Sequence, residues 1–431
     1  MTVAFYTLGC KVNQVDSDAM RHRLATAGYV CVEPEACPDV LVLNSCAVTA
    51  ESERKTRQKL RHFRSSNPNA ILVLTGCAVQ TDPQASLYYS EADILLGHRD
   101  SVDLAHYIDE YMLSHNKIFR VSSHYSGELF DIASAREIEN RTRATIKIED
   151  GCDRYCSYCI IPYARGPVRS KPLNVLREEM QSLAGQGFQE LVLVGINLCA
   201  YGTDLGCSLC DAVALTEKFS GIRRVRLGSL EPDLLTEEMP EKLSRINTFC
   251  PHFHLSLQSG CNRTLKRMNR HYTTQQYFNT VTRIRALFPG AAITTDLMVG
   301  FPGESDADFQ ASLAFVREIG FAKIHVFPYS VRPGTVAAAL PNQIDNATKR
   351  ARVREMILLA KSSNRMFLVR QIGKVTEVLP EEPYPGGGMQ GYTAHYVPVV
   401  IPGTGPALRN QLVRVRITGV QGDRCIGELV S

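Results

Sequence analysis

Three closely spaced cysteines constrain this sequence more than any other feature. Cys152, Cys156 and Cys159 form a C-x3-C-x2-C run on a loop that opens with Gly151 and follows the strand-like segment 144–148. Three thiolates at this spacing can hold three corners of a cubane iron-sulfur cluster and leave the fourth iron open. A structural zinc site needs a fourth thiolate or imidazole nearby, which this segment lacks. The run therefore predicts an open-corner cluster, with incidental loop cysteines as the plain alternative.

The same run resembles the signature of the radical S-adenosylmethionine (SAM) superfamily. The resemblance implies that the open iron chelates the amino and carboxylate groups of SAM. It also implies that reductive cleavage of SAM yields a 5′-deoxyadenosyl radical, which abstracts hydrogen from unactivated carbon. Tyr158, beside Cys159, is then a candidate for contact with the cofactor.

The composition predicts a cytoplasmic protein without a membrane span. No run of eighteen apolar residues is present, and the chain opens directly on a strand-like segment. Fourteen cysteines is a high count for a compartment that keeps thiols reduced, and favours clusters over disulfides. The net charge is only +4, but the part from Ala347 onward carries twelve Lys and Arg against six Asp and Glu. A polyanion should therefore contact that part most.

The first 120 residues predict an open, parallel α/β sheet. Short apolar runs alternate with helical stretches in the pattern of right-handed βαβ units. In chain order these segments are 3–8, 15–28, 40–43, 49–67, 71–74 and 94–96.

Three further cysteines follow the first three of those strands. Cys10, Cys46 and Cys77 each lie one to three residues beyond a predicted strand end. The carboxyl ends of parallel strands share one edge of an open sheet, so we expect these thiols to converge. Their convergence predicts a second three-thiolate cluster. The alternative is that they are three buried cysteines that act as small hydrophobic residues.

The segments around these cysteines resemble the ligand motifs of the methylthiotransferases, whose N-terminal domain carries an auxiliary cluster. The similar stretches are Thr7–Gln14, Asn44–Thr49 and Thr75–Ala78. The Leu-Gly-Cys-Lys-Val-Asn form is most similar to the branch acting on threonylcarbamoyladenosine in tRNA. The isopentenyl-adenosine branch usually reads Gly-Cys-Gln-Met-Asn, and the ribosomal-protein branch is closer to Gly-Cys-x-Lys-Asn.

The helix after Cys46 presents a basic face. Arg54, Arg57, Arg61 and Arg64 fall within one arc beside apolar Leu60 and Phe63. A solvated basic face is the default interpretation, and contact with RNA phosphates is the alternative.

The central region predicts six βα repeats, an incomplete parallel barrel with its active site at the carboxyl ends of the strands. A polar linker, 121–143, precedes it. Predicted strands are 144–148, 190–194, 224–228, 253–257, 292–296 and 323–327. Predicted helices are 172–186, 208–219, 236–246, 273–288 and 305–319.

Polar residues follow these strands. By resemblance to the superfamily they line the SAM and substrate cavity; the alternative is that they cap loops and form turns. The candidates are Asn197, Glu231, Gln258, Arg270 and Asp296.

Three other cysteines depart from the family pattern. Cys199 follows the second barrel strand, and Cys207 and Cys210 form a C-x2-C pair, which alone is weak evidence for a metal site. We expect none of the three to hold a cluster.

The C-terminal part predicts a basic helix, 341–367, and then a small closed β-barrel of about five strands. Predicted strands are 373–379, 392–399 and 412–417. This module resembles the TRAM domain, an RNA-binding barrel, in the stretch Gly391–Val397, which includes Tyr392 and Tyr396, and in the stretch Arg414–Thr418. Exposed aromatic residues and the basic Arg414 and Arg416 suit RNA, while edge arginines that only maintain solubility are the alternative.

Taken in order, these patterns predict an α/β chain of five segments: auxiliary-cluster domain 1–120, linker 121–143, radical SAM barrel 144–340, connecting helix 341–365 and TRAM-like barrel 366–431. The resemblance implies addition of a methylthio group to carbon 2 of the modified adenosine next to the anticodon. It implies two [4Fe-4S] clusters and SAM as cofactors, a tRNA substrate and an electron donor such as flavodoxin or ferredoxin. We expect a monomer. The alternatives are the isopentenyladenosine and ribosomal-protein activities, or a non-catalytic iron-sulfur RNA-binding protein.

Overall fold

A computed structural model describes residues 1–132 and 141–430, which form two compact units. The first unit comprises Met1–Ile138, Ile146–Lys171 and Ser330–Ala339. The second comprises Glu139–Thr145, Pro172–Tyr329 and Leu340–Ser431. Most of the charged stretch 136–141 in the predicted linker lies outside the described residues. Within the described residues, no helix is both long and apolar enough to span a bilayer. The five predicted segment boundaries stay a prediction.

The first unit is built on a six-stranded parallel sheet, as predicted. In spatial order its strands are Val30–Cys31, Thr2–Thr7, Val40–Ser45, Ile71–Gly76, Ile94–Leu96 and Ile118–Arg120. The pattern did not reveal the short strands Val30–Cys31 and Ile118–Arg120. Its helices are Lys11–Thr26, Ala50–Ser66, Cys77–Thr81, Ala85–Tyr88 and Leu104–Ser114.

The core of this unit lies on both faces of the sheet, because successive side chains of a strand point to opposite faces. Leu41 and Leu43 pack on one face with the helix Ala50–Ser66, and Val40 and Val42 pack on the other with the helix Lys11–Thr26. Each buried Leu or Val contributes roughly 1.5–3 kcal/mol relative to exposure.

The first helix differs from its predicted bounds of 15–28. It begins at Lys11, because Cys10 takes the extended conformation of an N-terminal cap (φ −90°, ψ 175°). It ends at Thr26, because Gly28 adopts φ +91°, the left-handed conformation that commonly follows a helix.

The loop of the C-x3-C-x2-C run also belongs to the first unit. The antiparallel pair Glu149–Asp150 and Arg169–Ser170 closes the loop, and the helix Ile161–Arg165 follows Cys159. The segment Ser330–Ala339, with the short helix Val336–Ala339, supports this loop from later in the chain. Its Ala337 N–H donates to the carbonyl of Ser157 at 2.7 Å.

Parallel strands and their helices form the predicted incomplete barrel. One sheet has the order Arg224–Leu227, Glu190–Val194, Arg143–Lys147, and another the order Ser229–Leu230, His252–Leu255, Ala292–Val299, Lys323–Pro328. Ser229–Leu230 continues Arg224–Leu227 after Gly228, so the two sheets share this strand. The helices are Leu173–Gly185, Leu209–Ala214, Glu238–Ser244, Asn262–Arg267, Thr274–Leu287 and Asp306–Ile319.

Two predictions in the barrel are wrong in detail. The strand expected to end at Asp296 runs to Val299, because it keeps pairing with its neighbour as far as Pro328. Asp296 therefore lies inside a strand and not at its end. The helix predicted at 208–219 is α-helical only over Leu209–Ala214 and continues as a 3-10 turn.

The C-terminal part contains the helix Asn346–Val369 and a closed five-stranded barrel, which confirms the predicted β-barrel. The helix begins later than predicted because the Asp345 carboxylate accepts from the N–H groups of Ala347 and Thr348 and caps it. The barrel order is Val375–Pro383, Met389–Thr393, Pro398–Ile401, Arg424–Leu429, Val413–Gln421.

The predicted single strand 392–399 is wrong. The chain reverses between Met389–Thr393 and Pro398–Ile401, and Tyr396 holds φ +60° in this turn. The aromatic residues expected to be exposed for RNA are also packed. Tyr392 and Tyr396 stack at 4.7 Å, and the Arg143 guanidinium lies 5.0 and 5.4 Å from their ring centres. Neither ring is free to stack on a base.

Candidate functional site

The first cysteine triplet gathers at the carboxyl edge of the six-stranded sheet. Cys10, Cys46 and Cys77 follow three adjacent strands, and a side chain at Gly9 would place its Cβ only 3.1 Å from the Cys46 sulfur. Cys46 and Cys77 are buried, and Cys10 is exposed. The structure thus brings together three thiols that are far apart in sequence, as the strand-end argument predicted.

Two asparagines tie these strand ends together. Asn13 donates to the carbonyls of Leu8 (3.0 Å) and Ser45 (2.9 Å). Asn44 donates to the carbonyl of Asn13 and to the Ser17 hydroxyl, each at 2.9 Å. Both asparagines lie in the motif stretches, but their structural role was not predictable without the fold.

A second missed support comes from the segment that returns near residue 330. Buried Arg332 donates to the carbonyl of Ala47 at 3.1 Å and pairs with Glu53. Arg332 therefore fixes the backbone directly after Cys46. No short sequence motif links positions 332 and 47, so the pattern carried no signal for this contact.

Burial disfavours the charged form of two thiols of the first triplet. Burial raises the pKa of Cys77 to about 12 and also raises the pKa of Cys46. Among the described residues, the Cys, His, Asp and Glu side chains form one trio whose ligand atoms all lie within 4.8 Å of one another. This trio contains no cysteine. Tetrahedral zinc would hold sulfurs about 3.8 Å apart. At least two of the three sulfurs are therefore more than 4.8 Å apart, too far for one zinc ion, and three thiolates are the donor set of an open-corner cubane.

The second triplet is held by its own loop. The Cys152 N–H donates to the carbonyl of Gly166 at 3.0 Å, and the Cys159 N–H donates to the carbonyl of Cys156 at 2.9 Å. Tyr155 adopts φ +46°, and burial raises the pKa of Cys152. All three cysteines are partly exposed, as a loop around an accessible cluster requires. Tyr158 in this loop is half-buried.

In the second unit, buried Arg270 and half-buried Glu231 form one ion pair. Arg270 Nη1 lies 3.3 Å from Glu231 Oε1, and Arg270 Nη2 contacts the other carboxylate oxygen. Nη2 also donates to the carbonyl of Ser256 at 3.0 Å. The structure therefore joins two predicted site residues from separate motifs and holds both of them rigidly. Asn197, a further candidate, is buried.

Gln258 carries the strongest sign of a ligand contact in this unit. It adopts φ +65°, which is unusual for a residue with a side chain, and is 9% exposed. Backbone bonds to Asp296 and Met298 hold it in that conformation. Its Oε1 atom is buried without a hydrogen-bond partner among the described residues. A buried acceptor of this kind costs about 1–3 kcal/mol unless a ligand donates to it.

Asp296 belongs to a polar group that the sequence analysis missed. His254 Nε2 lies 3.3 Å from Asp296 Oδ2, and His254 Nδ1 lies 3.0 Å from the Thr294 hydroxyl. His252 contacts the same hydroxyl at 3.1 Å, and burial lowers the pKa of nearby His325. The available signal was the His-x-His spacing, which puts both rings on one face of a strand.

In the basic helix, Arg54 pairs with Glu51 and Arg61 pairs with Glu91 at the surface, and RNA contact by these residues stays a prediction. Arg54 and Arg61 are exposed and Arg57 is half-buried. Arg64 instead donates to the carbonyls of Pro68, Ala70 and Glu91 and pairs with Asp93 at 2.6 Å. These four contacts satisfy its guanidinium, so we correct the prediction for Arg64 to a structural role.

The C-terminal arginines are exposed as the strand alternation requires. Arg414 and Arg416 point outward, while Val415 and Ile417 enter the barrel core. Their cross-strand neighbours include Glu377 and Glu428, which weaken the local positive field. RNA contact by these arginines stays a prediction.

Comparison with known proteins places the chain among enzymes of tRNA modification. Residues 2–97 match the family described as "Uncharacterized protein family UPF0004", and residues 146–316 match the radical SAM superfamily. Threonylcarbamoyladenosine tRNA methylthiotransferases of Bacillus subtilis and Thermotoga maritima are 36% and 38% identical, over 96% and 92% of this chain and 93% and 90% of theirs. A tRNA-2-methylthio-N(6)-dimethylallyladenosine synthase of Pelotomaculum thermopropionicum is 34% identical over 96% of this chain and 94% of its own.

Solved structures support the fold. The radical SAM methyltransferase TsrM from Kitasatospora setae, solved with cobalamin and a [4Fe-4S] cluster, superimposes with a TM-score of 0.57 at 16% identity, over 78% of this chain and 77% of that one. The cobalamin-dependent radical SAM enzyme OxsB gives a TM-score of 0.53 at 12% identity, over 83% and 56%.

Proposed function

Because the chain belongs to the family of radical SAM tRNA methylthiotransferases, we propose that it adds a methylthio group to carbon 2 of N6-threonylcarbamoyladenosine at position 37 of tRNA. The observation that carries this proposal is the convergence of Cys10, Cys46 and Cys77 in the compact unit that also holds the second cysteine triplet. One enzyme with two three-cysteine sites can handle both sulfur donation and hydrogen abstraction.

The two triplets divide these tasks. When bound, the [4Fe-4S] cluster of the Cys152, Cys156 and Cys159 loop would supply radical chemistry with SAM, and the auxiliary [4Fe-4S] cluster would hold the sulfur that receives the methyl group. The protein itself orients both sets of thiols. Asn13 and Asn44 tie the strand ends beneath the first triplet, and Ala337 supports the loop of the second.

The half-barrel contributes the contacts to SAM and substrate in this proposal. Gln258 offers a buried acceptor to a ligand N–H or O–H group, and the Arg270–Glu231 pair offers preoriented charge. Asp296, Asn197 and Tyr158 are further candidates. A ring C–H of adenosine is too weakly acidic for an ordinary general base at neutral pH, so these groups act by positioning and not by proton abstraction.

Substrate tRNA contacts Arg54, Arg57, Arg61, Arg414 and Arg416 in this proposal, and a one-electron donor such as flavodoxin or ferredoxin reduces the loop cluster. We expect the enzyme to be a cytoplasmic monomer. The exposure of Arg54, Arg61, Arg414 and Arg416 supports phosphate contact, which supplies most of the sequence-independent affinity for RNA.

A second candidate substrate is isopentenyladenosine in tRNA. Relatives named as dimethylallyladenosine synthases are 31–35% identical to this chain, against 35–38% for those named for threonylcarbamoyladenosine. The Leu-Gly-Cys-Lys-Val-Asn motif favours the first substrate.

The test is mass spectrometry of tRNA nucleosides from a strain that lacks this protein. We expect threonylcarbamoyladenosine to accumulate without its methylthio group, and the wild-type gene to restore the modification. A Cys77→Ala gene should not restore it. Loss of methylthio-isopentenyladenosine instead would reassign the substrate to the second candidate.

A further inference from the structure

One buried arginine links the two cysteine triplets. Arg165 ends the helix that follows Cys159, and its side chain is 1% exposed. Arg165 Nη2 donates to Asn13 Oδ1 at 2.7 Å, and the same oxygen accepts from the Cys10 thiol at 3.6 Å. The helix after the loop therefore reaches the first triplet in two ways. Arg165 shares Asn13 Oδ1 with Cys10, and Ala164 packs in one core cluster with Cys77. All these groups lie within the first unit.

The carboxylates around Arg165 have other cationic neighbours. Arg165 contacts Asp16 at 2.8 Å and Asp150 at 3.1 Å. Lys147 pairs with the same two carboxylates, and Arg169 Nη2 lies 3.6 Å from Asp150. Lys147 and Arg169 therefore neutralise part of the charge of these carboxylates. The positive charge of Arg165 is then also available to stabilise the thiolates of the first triplet.

The group of Asp16, His98 and Asp150 beside Arg165 is not a divalent cation site. Ligand atoms of Asp16, His98 and Asp150 lie within 4.8 Å of one another. Lys147 and Arg165 already occupy these carboxylates at hydrogen-bonding distance, so their charges would repel a metal ion.

We propose that Arg165 is a positioning residue for the auxiliary cluster. Its guanidinium supplies the countercharge for the three thiolates of the first triplet and fixes them relative to the loop of the second triplet. A cubane on three thiolates is anionic, and a buried cation close to its ligand sulfurs makes its reduction easier. The role rests on the assignment of Cys10, Cys46 and Cys77 as ligands. It does not depend on the identity of the tRNA base.

The test isolates the auxiliary cluster in the full chain by Cys152→Ala, Cys156→Ala and Cys159→Ala. In this parent we compare Arg165→Met, Arg165→Lys and the control Lys147→Met, which removes a buried cation of the same group that pairs with the same two carboxylates. The readouts are iron and sulfide per chain and the midpoint potential from an EPR-monitored titration.

Arg165→Met should lower the midpoint potential of the cluster by about 59 mV. For a one-electron couple, this shift reduces the ratio of reduced to oxidised cluster about tenfold at a fixed solution potential. Arg165→Lys should retain most of the parent potential, and Lys147→Met should shift it less than Arg165→Met. The proposal is overturned if Arg165→Met binds full iron at the parent potential, or if Lys147→Met shifts the potential equally.

Removal of one partner from a buried ion pair often destabilises a protein, so a second variant is needed. Asp150→Asn with Arg165→Met removes one charge of each sign. The proposal is supported if this double variant has a lower midpoint potential than the parent, or loses iron with an unchanged circular dichroism spectrum. It is overturned if the double variant keeps the midpoint potential of the parent, or loses iron together with its fold. A parent that binds no iron would overturn the ligand assignment and the role of Arg165 together, without bearing on the substrate.

Discussion

The two cysteine triplets are assembled by opposite routes. Cys10, Cys46 and Cys77 are each more than 30 residues apart, and the edge of a parallel sheet brings them together. Cys152, Cys156 and Cys159 lie within eight residues, and one short antiparallel pair closes their loop. The first site is thus a product of the whole domain, whereas the second is almost a local motif.

This difference determines what can disturb each site. The sheet triplet shares the stability of a core packed on both faces, so only changes that move strand ends should separate its sulfurs. The loop triplet depends on a few backbone conformations, among them Gly151 at φ +90° and Tyr155 at φ +46°. It should be more sensitive to a single local substitution.

The largest expected effect comes from removal of one cysteine from each triplet. Cys77→Ala and Cys152→Ala should each abolish methylthio transfer and each leave about four iron atoms per chain, one cubane. They should differ in one respect: Cys77→Ala should retain SAM cleavage to 5′-deoxyadenosine, whereas Cys152→Ala should lose it. The measurements are iron analysis and chromatography of the nucleoside products. If Cys77→Ala also abolished SAM cleavage, the two sites would not be functionally separate.

Glycine substitutions sharpen the comparison at the level of the backbone. In Gly76→Ala, a residue at φ +98° would place its Cβ 2.6 Å from the carbonyl oxygen of Ser45, which should displace the strand end before Cys77. In Gly151→Ala the Cβ would overlap the carbonyl of Pro167. We expect each to cost about 2–4 kcal/mol and to lose iron from its own triplet first, as measured by EPR of the two clusters.

Gly28→Ala is the matched control, because Gly28 has φ +91° but nothing lies within 4 Å of the position that an alanine Cβ would take. It should cost only about 1 kcal/mol of conformational strain and leave both clusters in place. Equal iron loss from both triplets in Gly151→Ala would show that the loop is not an independent site.

The C-terminal barrel and the first unit should lose stability in different pH ranges. Burial, together with the charges of Lys374, Arg226 and Arg224, lowers the pKa of His395 to about 4. The unfolded chain binds this proton near pH 6.5, so the free energy of unfolding should fall as pH falls from about 6.5 through 4, by on the order of 2 kcal/mol. His395→Asn should flatten this dependence in urea titrations.

Carboxylates of the first unit lose their contribution in a different pH window. Burial alone would raise the pKa of Asp16 and Asp150, but Lys147 and Arg165 outweigh it and hold both pKa values well below the usual range. Their stabilisation is present above about pH 4 and is lost only below it. A fall in stability between pH 6.5 and 4 that persists in His395→Asn would contradict the assignment.

The smallest expected effects concern RNA affinity. The double reversals Arg54→Glu with Arg57→Glu and Arg414→Glu with Arg416→Glu should each weaken tRNA binding several-fold and make the salt dependence shallower by about 0.7–0.9 per lost phosphate contact. Filter binding at salt concentrations between about 50 and 200 mM measures both the tRNA affinity and its salt dependence. Exposed Arg317→Glu, outside both basic surfaces, is the control. If it weakens binding equally, the effect comes from net charge alone.

Local pattern predicted much of this protein. The apolar runs located four of the six strands of the first sheet, because fully buried parallel strands read as continuous apolar segments. The rule that parallel strands end at one edge predicted that Cys10, Cys46 and Cys77 converge. Motif spacing predicted the loop cluster, and the family comparison confirmed the radical SAM assignment.

The errors arose where distant contacts decide the outcome. Arg64 reads as a basic surface residue, yet three carbonyls and Asp93 engage it. Tyr392 and Tyr396 read as exposed aromatics, yet Arg143 packs against both rings. Side-chain partners more than a few residues away leave no periodic signal along the chain.

The sequence by itself determined the kinds of elements, the two sets of thiols and the chemistry that such sets support, because strand burial and ligand spacing are local properties. Only the tertiary structure decided which charges face those thiols. Arg165, Asn13 and Arg332 come from three separate segments of the first unit, and each acts through a contact with a residue at least thirty positions away. Such contacts depend on how the chain packs, and no single stretch of residues encodes them.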